Sequence, residues 1–180
     1  MFSQEVADGL RLELPQPHQA AELAELVRAN IHRLKPWMPW ATEDYSIDMA
    51  IGFIDRTARA FSENGRFEAL IVTDRRIIGA IGFHNYDTAN RSAHVGYWID
   101  KEYEGRGIIT KCCVAVIDHL FKVLNLNRVQ INCNVENVRS RAIPERLGFK
   151  QEGVLREVEW LHDRFGDWAV YAMLRRDWKH

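Results

Sequence analysis

Leu10, Leu12 and Leu14 alternate with Arg11 and Glu13, a period of two that predicts a half-buried strand, ended by Pro15 and Pro17. The period then lengthens. Ala20, Leu23, Ala24, Val27 and Ile31 fall on one face of a helix over residues 20–31. Lys35, Pro36, Trp37, Met38, Pro39 and Trp40 make a stiff aromatic loop. Ser46 is placed to cap a second helix running to about residue 62, with Met49, Phe53, Ala60 and Phe61 among its apolar positions and Asn64-Gly65 as its stop. Residues 67–72 and 77–83 are apolar, β-branched runs around Asp74-Arg75-Arg76, a predicted hairpin, and 93–99 is a further strand. Residues 110–124 return to helical spacing, with Val114, Ile117, Leu120, Phe121 and Leu124 on one face. A strand over 128–135, a helix over 137–147 closed by Gly148, and strands over 154–161 and 167–174 meeting at a turn with Gly166 complete the chain. This order predicts an α+β fold with one mixed, mostly antiparallel sheet of seven strands and flanking helices. At 180 residues the chain is expected to form one domain, 1–180.

Composition narrows the function more by exclusion. The formal net charge is −1, so there is no global basic field for nucleic acid, although Arg139, Arg141 and Arg146 cluster locally. No apolar run approaches the roughly 18 residues that span a membrane, and Met1 to Glu5 lack the basic-then-apolar order of a signal peptide. Cys112, Cys113 and Cys133 are odd in number and show no C-x-x-C spacing, which points to a reducing cytoplasm without disulfides. The seven histidines show no ligand spacing, and no metal is expected.

The most chemical segment is the glycine turn ahead of the 110–124 helix. Gly105 and Gly107 bracket Arg106, so the backbone can curl without side chains blocking a ligand. The first amides of the following helix, at the positive end of its dipole, open into that curl. Unpaired amides and a mobile arginine suit pyrophosphate oxygens. Ile108, Ile109 and Thr110 stand where a Walker loop needs Lys and Ser or Thr, and Thr110 stands where a dinucleotide fingerprint needs its third glycine. Taken alone, the two glycines also suit an ordinary turn.

A second segment follows one helix later: a strand with Asn132 and Cys133, then Asn137-x-x-Ser140, then Leu147-Gly-Phe149. In this order, from about Leu10 to Trp178, the chain strongly resembles the GCN5-related N-acetyltransferase superfamily. Arg33-Leu-Lys-Pro-Trp-Met-Pro-Trp40, Glu152-Gly-Val-Leu-Arg156 and Tyr171-x-Met-Leu-Arg-Arg-Asp-Trp178 are similar to the bacterial ribosomal-protein N-acetyltransferase branch. The resemblance implies acetyl-CoA as cosubstrate and an amine acceptor, with a protein N-terminus, a ribosomal one, in first place. It places the pantetheine arm beside the strand with Tyr97, Trp98 and Ile99, across from Asn132 and Cys133. Pyrophosphate falls to Gly105, Arg106, Gly107, Ile108, Ile109 and Thr110, and Asn137 and Ser140 flank the thioester. Relatives are often homodimers. Three departures stand out. Glu104 replaces the Gln or Arg that usually opens the phosphate loop, Ile109 replaces the Gly or Ala that usually ends it, and Pro144 occupies the position where many members carry a proton-donating tyrosine.

Acetyl transfer needs a neutral amine, a stabilised oxyanion and a proton for the thiolate. An α-amine with a reference pKa near 8 is roughly a tenth neutral at pH 7, so its base has little to do. Glu159 stands where the branch carries a catalytic Glu and is the expected base, acting directly or through water. The alternative is a solvated carboxylate paired with Arg156 or Arg164. Ser140 is the expected hydrogen-bond donor to the thiolate, or else an ordinary first-turn helix residue. Cys133 is either a participant or a small buried apolar residue. Trp37 and Trp40 form a substrate wall or pack under the first helix, and His84 and Asn85, ending a central strand, face the acceptor. Two other readings stay open: the same chemistry on a small amine such as an antibiotic, polyamine or amino-acid analogue, and a non-catalytic acyl-CoA-binding module.

Overall fold

A computed structural model describes residues 3–64 and 66–180. Gly65, the expected stop of the second helix, lies outside the described residues, as do Met1 and Phe2. The strands are β1 (Ser3–Ala7), β2 (Leu10–Glu13), β3 (Glu68–Thr73), β4 (Arg76–Asp87), β5 (Ser92–Ile99), β6 (Arg128–Asn134), β7 (Lys150–Leu161) and β8 (Arg164–Leu174). The helices are α1 (Ala20–Ala29), α2 (Ile31–Leu34), α3 (Ile47–Asn64), α4 (Ile108–Asp118) and α5 (Val138–Arg146).

The sheet has eight strands in the order β1-β2-β3-β4-β5-β6-β8-β7, not seven. The additional strand is β1, which pairs antiparallel with β2 across Asp8 and Gly9. Its Ser3, Gln4 and Glu5 leave no apolar alternation to read, because it is a polar edge with one neighbour. The β5–β6 pair is parallel, from Ser92↔Arg128 to His94↔Gln130, whereas β2–β3, β3–β4, β6–β8 and β7–β8 are antiparallel.

By contacts the chain divides into two compact units, Met1–Gly82 with Tyr97–Cys112, and Phe83–Gly96 with Cys113–His180. In the first, Leu23, Ala24, Val27 and Ile31 from the predicted helical stripe pack with Leu70, Val72, Ile77 and Ala80 of the hairpin and with Ala50 and Ile54 of α3. Ser46 caps α3 through its hydroxyl, which accepts from the Met49 amide at 3.3 Å. Asp74 and Arg75 turn the β3–β4 hairpin with φ of 49° and 63°, as a two-residue primed turn demands.

In the second unit, Val129, Ile131 and Cys133 are buried while their β6 neighbours are half-buried, an alternation that gives the strand two distinct faces. The β7–β8 turn is His162-Asp163 rather than a turn at Gly166, which lies inside β8. The glycine serves close approach there. A Cβ on Gly166 would stand 2.7 Å from Asn134 Nδ2. His84 and Asn85 likewise lie within β4 rather than at its end, because the strand continues to Asp87.

Candidate active site

The glycine turn belongs to the first unit. Gly105 and Gly107 both have φ of 73°, a left-handed conformation that side chains resist. A Cβ at either position would meet nothing within 4 Å, so the curl opens on free space. Lys111 donates its amide to the Gly107 carbonyl at 3.1 Å as α4 begins. The amides of Gly107, Ile108 and Ile109 therefore precede the first intrahelical bond, at the positive helix end. The Ile109 side chain is buried, which leaves its backbone to serve a ligand. Arg106 folds back over the loop, donating to the Glu102 carbonyl at 2.8 Å with its guanidinium 5.0 Å from the Tyr103 ring centre.

Two side chains hold this loop from α1 and α2. Asn30, buried between those helices, donates to the Leu26 carbonyl (3.0 Å) and to Asp100 (3.1 Å), and accepts from the Lys101 amide (3.1 Å). Arg33 pairs with Glu104, so the acidic departure from the usual phosphate loop is charge-matched from within the chain. In the same unit, Trp40 is exposed and stands 6.2 Å from Trp98 and 5.9 Å from Tyr45 between ring centres, while Trp98 also packs on the core. Trp37 and Ile99 are half-buried.

The second unit brings the predicted thioester residues together. Asn137 caps α5, its Oδ1 accepting from the Ser140 amide at 3.1 Å, and Ser140 Oγ lies 3.3 Å from Cys133 Sγ. Arg141 ties this turn down by donating to the Val135 carbonyl (2.9 Å) and to Tyr171 Oη (3.0 Å), while Tyr171 donates to Glu145 (2.7 Å). Arg141 in the predicted basic cluster is thus a structural clamp. Pro144 sits inside α5, where it cannot donate an amide to the Ser140 carbonyl one turn earlier.

Glu159 is placed by a bulge. The β7–β8 register passes from Leu155↔Trp168 to Glu159↔Gly166, four steps on one strand against two on the other. Glu157 absorbs the excess at φ 51°, and its amide donates to Asp167 at 2.8 Å. Glu159 then accepts from the Trp168 indole at 2.9 Å, while Arg164, one expected alternative partner, reaches Glu136 at 3.8 Å. Trp168 pairs with Asn134, so Glu159 attaches to the β6 face that carries Asn132 and Asn134. Cys133 and Ser140 belong to the opposite face. Asn132, grouped by sequence with the cofactor residues, is therefore on the Glu159 side.

That face also holds residues that the sequence did not single out. His94 Nδ1 stands 3.3 Å from Asn85 Nδ2 and 3.5 Å from Asn132 Nδ2, and the His84 and His94 rings meet edge to face at 5.6 Å. Burial, reinforced by the nearby Arg128, holds the His94 imidazolium below the usual histidine range. His94 and His84 lie on different strands, and only register joins them. Trp168 gave no signal at all.

The Acetyltransferase (GNAT) domain family matches residues 10–150 of this chain. The chain belongs to the GNAT acetyltransferase family. It is 38% identical over 180 residues, 99% of the chain and 98% of the relative, to the putative ribosomal N-acetyltransferase YdaF of Bacillus subtilis (strain 168). It is 35% identical over 105 residues, 58% of the chain and 59% of the relative, to the ribosomal-protein-serine acetyltransferase of Escherichia coli (strain K12). Among solved structures, the microcin C7 self immunity acetyltransferase MccE in complex with acetyl-CoA and AMP superposes with a TM-score of 0.87 at 28% identity, covering 94% of both chains. The chain is thus an N-acetyltransferase of the GNAT fold, and the non-catalytic reading falls away. Among the described residues no cluster of three or more His, Cys, Asp or Glu is arranged to hold a metal ion, and no helix is long and apolar enough to cross a membrane.

Proposed function

We propose that this GNAT chain transfers acetyl from acetyl-CoA to the α-amine of a protein N-terminus, that of a ribosomal protein. The observation that carries the reading is the Gly105–Gly107 curl, with both glycines left-handed and free space in front of the first amides of α4. Residues 105–110 hold the pyrophosphate through backbone amides and Arg106. The backbone at Trp98 and Ile99 lies along the pantetheine arm, and Asn137 and Ser140 stand at the thioester. Trp37, Trp40, His84 and Asn85 serve the acceptor. The names of the Bacillus subtilis and Escherichia coli relatives support a ribosomal acceptor. The buried cysteines support a reducing cytoplasm.

In the reaction the amine nitrogen attacks the thioester carbonyl carbon. The C–N bond forms, the C–S bond breaks, and the amine proton passes to Glu159 directly or through water. The Ser140 hydroxyl donates a hydrogen bond to the departing thiolate, and the proton that the amine gives up to Glu159 balances the one the thiolate takes up through solvent. The acceptor is identified by incubating the protein with labelled acetyl-CoA and ribosomal proteins and locating the label by mass spectrometry. Label on N-terminal α-amines is expected; label on lysine side chains alone overturns the reading. Light scattering on the same preparation tests for the homodimer. A second reading, a small amine as acceptor, is favoured by the likeness to the microcin immunity enzyme, and acetylation of a small amine without any labelled protein would select it.

A further inference from the structure

Asn132 Oδ1 is buried and has no hydrogen-bond partner among the described residues. A lone buried acceptor is costly unless something outside the chain satisfies it. The other end of the same amide is held, since Asn132 Nδ2 and Asn85 Nδ2 both converge on His94 Nδ1. An NH2 group can only donate, so with the two amides oriented this way Nδ1 is their acceptor, its single lone pair shared between them, and the ring proton is assigned to Nε2. Asn85 reaches it from φ 48° inside β4, a left-handed conformation that asparagine tolerates better than most residues. The orphan oxygen shares its face of β6 with Asn134, two residues or about 7 Å along the strand, where Trp168 and Glu159 attach.

We propose that Asn132 Oδ1 accepts a hydrogen bond from the incoming amine, and that His94 is the positioning residue that keeps this oxygen turned outward. The assignment rests on the acetyl-transfer reading above and adds the group that orients its nucleophile. A neutral primary amine has two N–H bonds and one lone pair. The lone pair attacks only if it points at the thioester carbon, so both N–H bonds must find acceptors elsewhere. Asn132 takes one, and Glu159 or its water takes the other. As the nitrogen gains positive charge during attack the hydrogen bond to Asn132 strengthens, which favours the transition state over the bound amine.

The test compares the unaltered protein with Asn132→Leu, His94→Leu and His94→Asn, using acetyl-CoA and a peptide with a free N-terminal serine. Asn132→Leu is expected to lower kcat/KM for the peptide about tenfold or more, the scale of one lost hydrogen bond to a charged group, with acetyl-CoA affinity unchanged in calorimetry. His94→Leu should do the same. His94→Asn should recover most of the loss, because its Oδ1 can stand where Nδ1 stood. Weaker acetyl-CoA binding with peptide kinetics unchanged overturns the proposal and gives the oxygen to the cofactor. An Nδ1-protonated His94 in the nitrogen-15 spectrum at neutral pH also overturns it. If the unaltered protein acetylates only small amines, the protein-acceptor reading falls alone and the ratios are read on that amine. If it acetylates no amine, both fall.

Discussion

Gly107 carries its φ of 73° at the point where α4 begins, with open space where a Cβ would stand. Gly107→Val places a branched side chain there, on a backbone that costs an L-residue about 1–2 kcal/mol. Acetyl-CoA affinity measured by calorimetry should fall by roughly a few kcal/mol from strain and blocked amides combined, and an unchanged affinity would remove the cradle assignment. Glu159→Gln should lower kcat by about 10²-fold while acetyl-CoA still binds. The loss should shrink at high pH, where solvent has already deprotonated the α-amine, and wild-type rates across pH 6 to 9 would rule the base out. His94 adds a separate pH effect. Its imidazolium is disfavoured by burial and then by Arg128, which itself pairs with Glu152, while His84 is the other titratable ring against it. The neutral ring contributes stability that is present above the ordinary histidine pKa and is lost as pH falls through the lowered folded one. Protonation also turns Nδ1 into a donor facing two donors. Peptide kcat/KM should therefore drop more steeply in acid for the unaltered protein than for His94→Asn; coincident pH profiles would exclude this contribution.

The elements explain how distant residues reach these positions. The β7 bulge sets four steps against two, and without it Glu159 would pair elsewhere along β8. On α5, the cap at Asn137 and the clamp from Arg141 to Tyr171 fix the turn that carries Ser140. Tyr171→Phe removes the hydroxyl that accepts from Arg141 and donates to Glu145 while keeping the ring. It should cost about 1–2 kcal/mol in denaturant unfolding and lower kcat with acetyl-CoA affinity nearly unchanged; a variant with unaltered stability and rate would show that the clamp is redundant. The loop ahead of α4 has its own clamp in Asn30, which meets Asp100, Lys101 and Leu26 at once.

Across the whole molecule, Cys112 and Cys113 are fully buried and Cys133 nearly so, and burial pushes the Cys112 thiol up to about 12. A thiol reacts as its thiolate, so Cys112 should resist alkylation in the folded protein at pH 8 and become labelled only on global unfolding. Mass spectrometry after timed alkylation reads this, and rapid labelling of Cys112 in native buffer would show local opening of α4. The strand count is also a property at this scale. The alternation at Leu10, Leu12 and Leu14 was legible because one face of β2 is buried, whereas β1 is a polar edge whose partner alone makes it a strand.

The apolar periods, the turn residues and the glycine pair determined the order of the elements, the class of the fold and the curl ahead of α4, because each depends on neighbours within a few residues. The proximity of Ser140, Asn137 and Cys133 was legible for the same reason, since they lie on one strand-to-helix segment. Tertiary structure alone decided which face each site residue occupies. Asn132 and Cys133 are adjacent in sequence and opposite in space, since successive strand residues point to opposite faces. His94, His84 and Asn85 become one cluster only when β4, β5 and β6 pair in register, and Glu159 meets Trp168 only through a bulge whose extra residues no local pattern announces.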